Sequence, residues 1–112
     1  MAYATLGIFL IALVGGTYVG LLHLKGEPPP SGVALVHGML SLVGLVLLIY
    51  LVATAPELQN GLALLLFLIT IGGGFYLYRH RAAQKRPERA PILIHAAFAV
   101  AAVATLALVV IR

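Results

Sequence analysis

The sequence predicts an all-α fold: an integral membrane four-helix bundle built from two tandem transmembrane hairpins. Three observations predict it. Of 112 residues, 62% are hydrophobic and only 9% are charged. Four apolar runs have the length of a membrane crossing, and the charges and chain breakers fall between them. A soluble domain carries about 25% charged residues, so this chain has too little polar surface to face water on all sides.

The first run, about Tyr3–Leu24, has no basic stretch before it and no small-x-small cleavage site, and it is long enough to span. It therefore reads as a helix and not as a signal peptide. Gly26 to Gly32, with Pro28, Pro29 and Pro30 at its centre, breaks the chain. The second run is about Val33–Ala53, and Ala55, Pro56 and Glu57 end it. The third, about Asn60–Tyr78, leads into the one charged stretch, Arg79 to Pro91. The fourth is about Ile92–Ile111. Each run is roughly 20 residues, enough for a helix to cross about 30 Å of hydrocarbon. Only a helix satisfies its own backbone polar groups in so short a lipid-exposed segment. Short links make successive helices antiparallel.

Lys25, Arg79, Arg81, Lys85, Arg86 and Arg89 lie in the first and third connections, whereas only Arg112 lies at the other end. The positive-inside rule then places loops 25–32 and 79–91 in the cytoplasm and both termini outside, with a bacterial inner membrane as the expected location. The formal net charge of +4 reads as an orientation signal; the basic residues are too few and too confined for nucleic-acid binding.

Sliding the chain over itself by 58 residues lays Ile8–Val52 on Leu66–Val110, with 11 of 45 pairs identical. Gly15/Gly73, Gly16/Gly74, Tyr18/Tyr76, Pro29/Pro87 and His37/His95 are the pairs least explained by shared apolar composition. One membrane domain made of repeat 1 (about 1–54) and repeat 2 (about 60–112) follows. Each repeat is a hairpin, and the copies are related by a pseudo-twofold axis along the membrane normal. That symmetry sets the second and fourth helices diagonally opposite, with His37 and His95 at equal depth.

Two imidazoles from diagonal helices at one level are what a haem b iron with two axial histidines requires. One and two turns along lie Ser41 and Gly44 after His37, and Ala99 and Ala102 after His95. These are small residues at helical spacing, a strip along which a flat macrocycle fits. Gly15 and Gly16, and Gly73 and Gly74, thin the other two helices where porphyrin edges approach. Tyr18 and Tyr76 are candidates to donate hydrogen bonds in the pocket. Arg79 and Arg81, with His23 or His80, are candidates for the propionates. The structural reading of the same residues is ordinary small-residue packing, interfacial tyrosines, polar helix ends and a topology-setting basic loop that also attracts anionic lipid or a soluble redox partner. Ionisable groups inside membrane helices are costly and mark function by default.

A four-helix membrane core with a diagonal histidine pair resembles the b-type cytochromes of membranes, such as cytochrome b561-like proteins and the membrane anchors of respiratory enzymes. The resemblance covers the chain as an architecture and rests on His37 and His95 alone as residues. It implies one non-covalent haem b, one-electron transfer, and a partner such as quinol or a respiratory-chain complex. Two nitrogen ligands fill the iron's axial positions and favour electron transfer over substrate binding.

Other chemistry is narrowed by what the chain lacks. There are no cysteines, hence no disulfide, thiolate metal site or covalent haem. Glu27, Glu57 and Glu88 are the only acids and all lie in loops, so no carboxylate serves a proton relay within the membrane, unlike small multidrug-resistance transporters. No catalytic triad, phosphate loop or zinc-protease motif is present, and an electron carrier is a better fit than an enzyme. Two alternatives stay open: a non-catalytic scaffold or accessory subunit of a membrane complex, and a histidine-based metal-binding or transport protein in which His37 and His95, or less so His23 and His80, are the ligands.

Overall fold

A computed structural model of the chain describes residues 1–82 and 88–111, with Arg81 and Ala82 described by their backbone alone. Four helices account for nearly all of these residues: α1 (Ala2–Leu24), α2 (Ser31–Thr54), α3 (Leu58–Ala82) and α4 (Arg89–Ile111). All four are long and apolar enough to cross a membrane, and the chain is an integral membrane helical bundle. Pro87, Lys85, Arg86 and Arg112 lie outside the described residues, as does the Arg81 side chain.

The helices overrun the apolar runs by up to four residues at their ends. Hydrophobicity stops at the water boundary, but helical hydrogen bonding does not. Thus α3 carries on through Arg79 and His80. Similarly, α4 starts at Arg89 with Pro91 in its first turn, where a missing N–H costs nothing. At the end of α1, Gly26 takes φ 78°, and the N–H groups of Gly26 and Glu27 turn back to the carbonyls of His23 (3.0 Å) and Leu22 (2.8 Å). This closing turn satisfies carbonyls the helix would leave open, and its left-handed φ suits glycine. At the other end of the bundle, Asn60 Nδ2 donates to the Ala55 carbonyl at 2.9 Å, tying the end of α2 to the start of α3.

Contacts join α1 to α2 and α3 to α4 most closely, then α1 to α4 and α2 to α3. Among the described residues, backbones do not meet across either diagonal, so α2 faces α4 and α1 faces α3 through the centre. The inward stripes run at helical spacing. Thr5, Phe9 and Ala12 are buried on α1, and Gly44, Leu48 and Leu51 on α2. Asn60, Ala63, Phe67 and Thr70 are buried on α3, and Ile92, Ala102, Val103 and Leu106 on α4. Several of these stand at the 58-residue offset: Phe9 and Phe67, Ala12 and Thr70, Gly44 and Ala102, Leu48 and Leu106.

Phe9 and Phe67 stack across the α1–α3 diagonal, with ring centroids 3.7 Å apart and planes within 11°. Around them close Leu48, Leu51, Ala63, Ala102, Val103 and Leu106. The hydroxyls of Thr5, Thr17, Ser41, Thr54, Thr70 and Thr105 each donate to the carbonyl four residues earlier, at 2.7–2.9 Å. These six hydroxyls are thereby satisfied within their own helices.

Phe9→Ala tests the core. Lipid and core are both apolar, so the cost is lost packing. A cavity of about 100 Å³ at about 24 cal/mol per Å³ gives about 2 kcal/mol. Thermal unfolding in detergent is expected to fall accordingly for Phe9→Ala and to stay unchanged for Tyr3→Ala, whose side chain is 76% exposed.

Candidate functional site

His37 and His95 both face into their own hairpins. His37 Nδ1 lies 2.7 Å from the Ala12 carbonyl on α1, and His95 Nδ1 lies 2.9 Å from the Thr70 carbonyl on α3. Each bond spans 25 residues. Both partners are 58 residues apart, so the contact recurs at the offset seen in the sequence. A carbonyl only accepts, so the neutral ring carries its proton on Nδ1 and its lone pair on Nε2. That is the arrangement by which a metal-ligating histidine is oriented through its second nitrogen.

Glycine makes the contact possible. A Cβ on Gly16 would stand 2.6 Å from His37 Cε1, and one on Gly74 would stand 3.0 Å from His95 Cε1. A Cβ on Gly15 would meet only the His37 Cβ, at 3.8 Å, and one on Gly73 would meet His95 Nδ1 at 3.4 Å. Helical side chains lean over the turn N-terminal to them. A side chain at 16 or 74 would therefore shield the carbonyl at 12 or 70. The four glycines thin α1 and α3 as the sequence indicates, and at Gly16, Gly73 and Gly74 the near neighbour is the imidazole of the same hairpin.

The small-residue strip divides. Ser41 Oγ donates to the His37 carbonyl at 2.8 Å, and Ser41 and Ala99 are half-buried beside the histidine layer. Gly44 is closed: a Cβ there would meet the Phe9 ring at 2.8 Å. Ala102 is fully buried in the same layer. The expectation of an open slot through Gly44 and Ala102 is thus corrected, because the stacked phenylalanines fill it.

Tyr18 and Tyr76 are 49% and 48% exposed, and Tyr76 lines a groove together with His95. Arg79 is exposed. His80 packs its ring on Tyr76, centroids 4.3 Å apart. His23 is half-buried near the end of α1.

Among the described residues no three His, Cys, Asp or Glu side chains converge on one point. Each ring lays its Cε1 edge, with both nitrogens, against the glycine notch of its own hairpin, and Nε2 is the nitrogen left with a lone pair. Sequence reasoning missed the Ala12 and Thr70 carbonyls, since a backbone acceptor leaves no residue signature. It also passed over the identical pair Phe9/Phe67. Comparison of the chain with protein-family models, curated proteins and solved structures gave no match.

The glycine notches give a graded prediction. Overpacking a tight site costs about 1–3 kcal/mol. Gly16→Ala should destabilise the bundle most and Gly74→Ala less. Gly38→Ala should have no effect, because nothing lies within 4 Å of its added Cβ. Thermal unfolding of the three variants in detergent gives the order; equal effects at 16 and 38 would contradict the notch.

Proposed function

We propose that the chain is a membrane haem b protein that passes single electrons, with His37 and His95 as the axial ligands. The observation that supports this reading is the paired Nδ1–H···O=C bond, which leaves the Nε2 lone pair of both His37 and His95 as the nitrogen an iron would take. A bound haem supplies a one-electron redox centre. The protein's part is to hold both imidazoles in one tautomer and to exclude water with the Phe9–Phe67 layer. With Gly44 covered, the macrocycle lies in the histidine layer and toward the basic end of the bundle. The architecture resembles cytochrome b561-like proteins and respiratory membrane anchors, and quinol or a respiratory-chain complex is the fitting class of electron partner. We place the basic end in the cytoplasm, and the termini outside, on the positive-inside rule; a bacterial inner membrane suits this reading.

A second reading has its own support. Interhelical hydrogen bonds add up to about 2 kcal/mol each in membrane proteins, and the filled Gly44 strip suits a bundle without cofactor. The histidines are then pins that hold each hairpin closed in a non-catalytic subunit.

The visible spectrum of protein purified from haem-replete cells separates the two. A Soret band, with sharp α and β bands on reduction, is expected. His37→Ala and His95→Ala should each abolish the low-spin spectrum, while His23→Ala keeps it. A colourless preparation, with both alanine variants merely less stable, would establish the pin.

A further inference from the structure

A groove of about 360 Å³ runs down the outer face between α3 and α4, walled by Ile69, Gly73, Tyr76, Ile94, His95 and Phe98. Its lining is almost wholly apolar, and it opens laterally where lipid would lie. One end is basic. Arg79 and His80 follow Tyr76 within one turn, and Arg89 begins α4 at the same end of the hairpin. Arg79 and Arg89 are exposed. By sequence, six of the seven Lys and Arg residues fall at this end of the bundle, against Glu27 and Glu88.

The first hairpin provides an internal control. At the 58-residue offset the groove positions are Ile11, Gly15, Tyr18, Val36, His37 and Leu40, so the walls recur with four identities. The mouth does not. Leu21, Leu22 and Ser31 stand where the second hairpin has Arg79, His80 and Arg89. At these three positions the second hairpin alone is cationic or ionisable, while the first carries His23 and Lys25 at its own end.

We propose that the α3–α4 groove is a binding site for one anionic phospholipid. Its acyl chain lies along Ile69, Gly73, Ile94 and Phe98, and its phosphate sits at the mouth between Arg79, His80 and Arg89. Charge complementarity selects the lipid: a zwitterionic headgroup gains little from three clustered donors, whereas an anionic one gains from each. The groove supplies length and the mouth supplies charge, so neither a free phosphate nor a neutral lipid satisfies both. The proposal stands whether or not the histidines hold haem.

Native mass spectrometry of the full chain from mixed micelles containing phosphatidylglycerol and phosphatidylcholine tests it. The expected result is a single retained phosphatidylglycerol, preferred by about tenfold, at the scale of a few headgroup–Arg contacts. The triple variant Arg79→Leu, His80→Leu, Arg89→Ser puts the first hairpin's residues at these three positions, and should lose the preference. The reciprocal variant Leu21→Arg, Leu22→His, Ser31→Arg should add a second retained lipid, which guards against a misfolded triple variant. Equal retention of both lipids, an unchanged preference in the triple variant, or full displacement by inorganic phosphate would each overturn the site.

Discussion

The bundle depends on a hydrogen bond from an imidazole to a backbone carbonyl, made once in each hairpin. In lipid no hydrophobic force draws helices together, since hydrocarbon is as apolar as leucine. Close packing and polar contacts must do so. The carbonyls of Ala12 and Thr70 are already helix acceptors, and each has a second lone pair. That lone pair is reachable from a neighbouring helix only if the residue one turn later has no side chain to cover it. Gly16 and Gly74 meet this need, and the rings of His37 and His95 fill the space the glycines leave. The glycine, the histidine and the carbonyl form one unit. Removing any member leaves a void, a clash or an unpaired polar group in hydrocarbon.

Two layers divide the interior along the axis. Near the basic end lie the histidines; about two turns further on lies the stacked pair Phe9 and Phe67. The division decides where chemistry can reside. The phenylalanine layer is filled, with Leu48, Leu106, Ala63 and Ala102 fully buried around it. The histidine layer contains the ring nitrogens, the buried Ala12 and Thr70 whose carbonyls hold them, and the half-buried Ser41 and Ala99. A flat cofactor spanning both layers would have to displace the aromatic stack, whereas one held in the histidine layer would use the donors as they stand.

Helix number, span and order were legible in the sequence because lipid imposes a simple rule: about 20 apolar residues, then a breaker. The histidine pair was legible because an ionisable residue repeated at the same offset stands out among apolar ones. Phe9 and Phe67 match as well, but an aromatic in an apolar helix has no contrast, and its role appears only when the diagonal is built. The glycines were legible as close-approach positions, but their imidazole neighbours were not. Small residues announce that something comes close without saying what, and here it is the imidazole of the same hairpin. The exposure of Tyr18, Tyr76 and Arg79 was illegible for another reason: depth can be counted from the helix ends, but azimuth needs the neighbouring helix in place.

What the hairpins share and where they differ separates structure from specialisation. Most paired inward positions agree in kind at the 58-residue offset: histidine with histidine, phenylalanine with phenylalanine, leucine with leucine, glycine with glycine or alanine; Thr5/Ala63 and Ala12/Thr70 pair threonine with alanine. Inward side chains pack against one another, so a change at one position leaves a void unless its neighbours change with it. Outward positions carry no such restraint, because each faces lipid or headgroups on its own. The divergence from Leu21, Leu22 and Ser31 to Arg79, His80 and Arg89 falls on this unconstrained surface, at the end where headgroups lie. Interior symmetry therefore fixes the histidine layer, and exterior asymmetry gives the two hairpins different relations to the membrane around them.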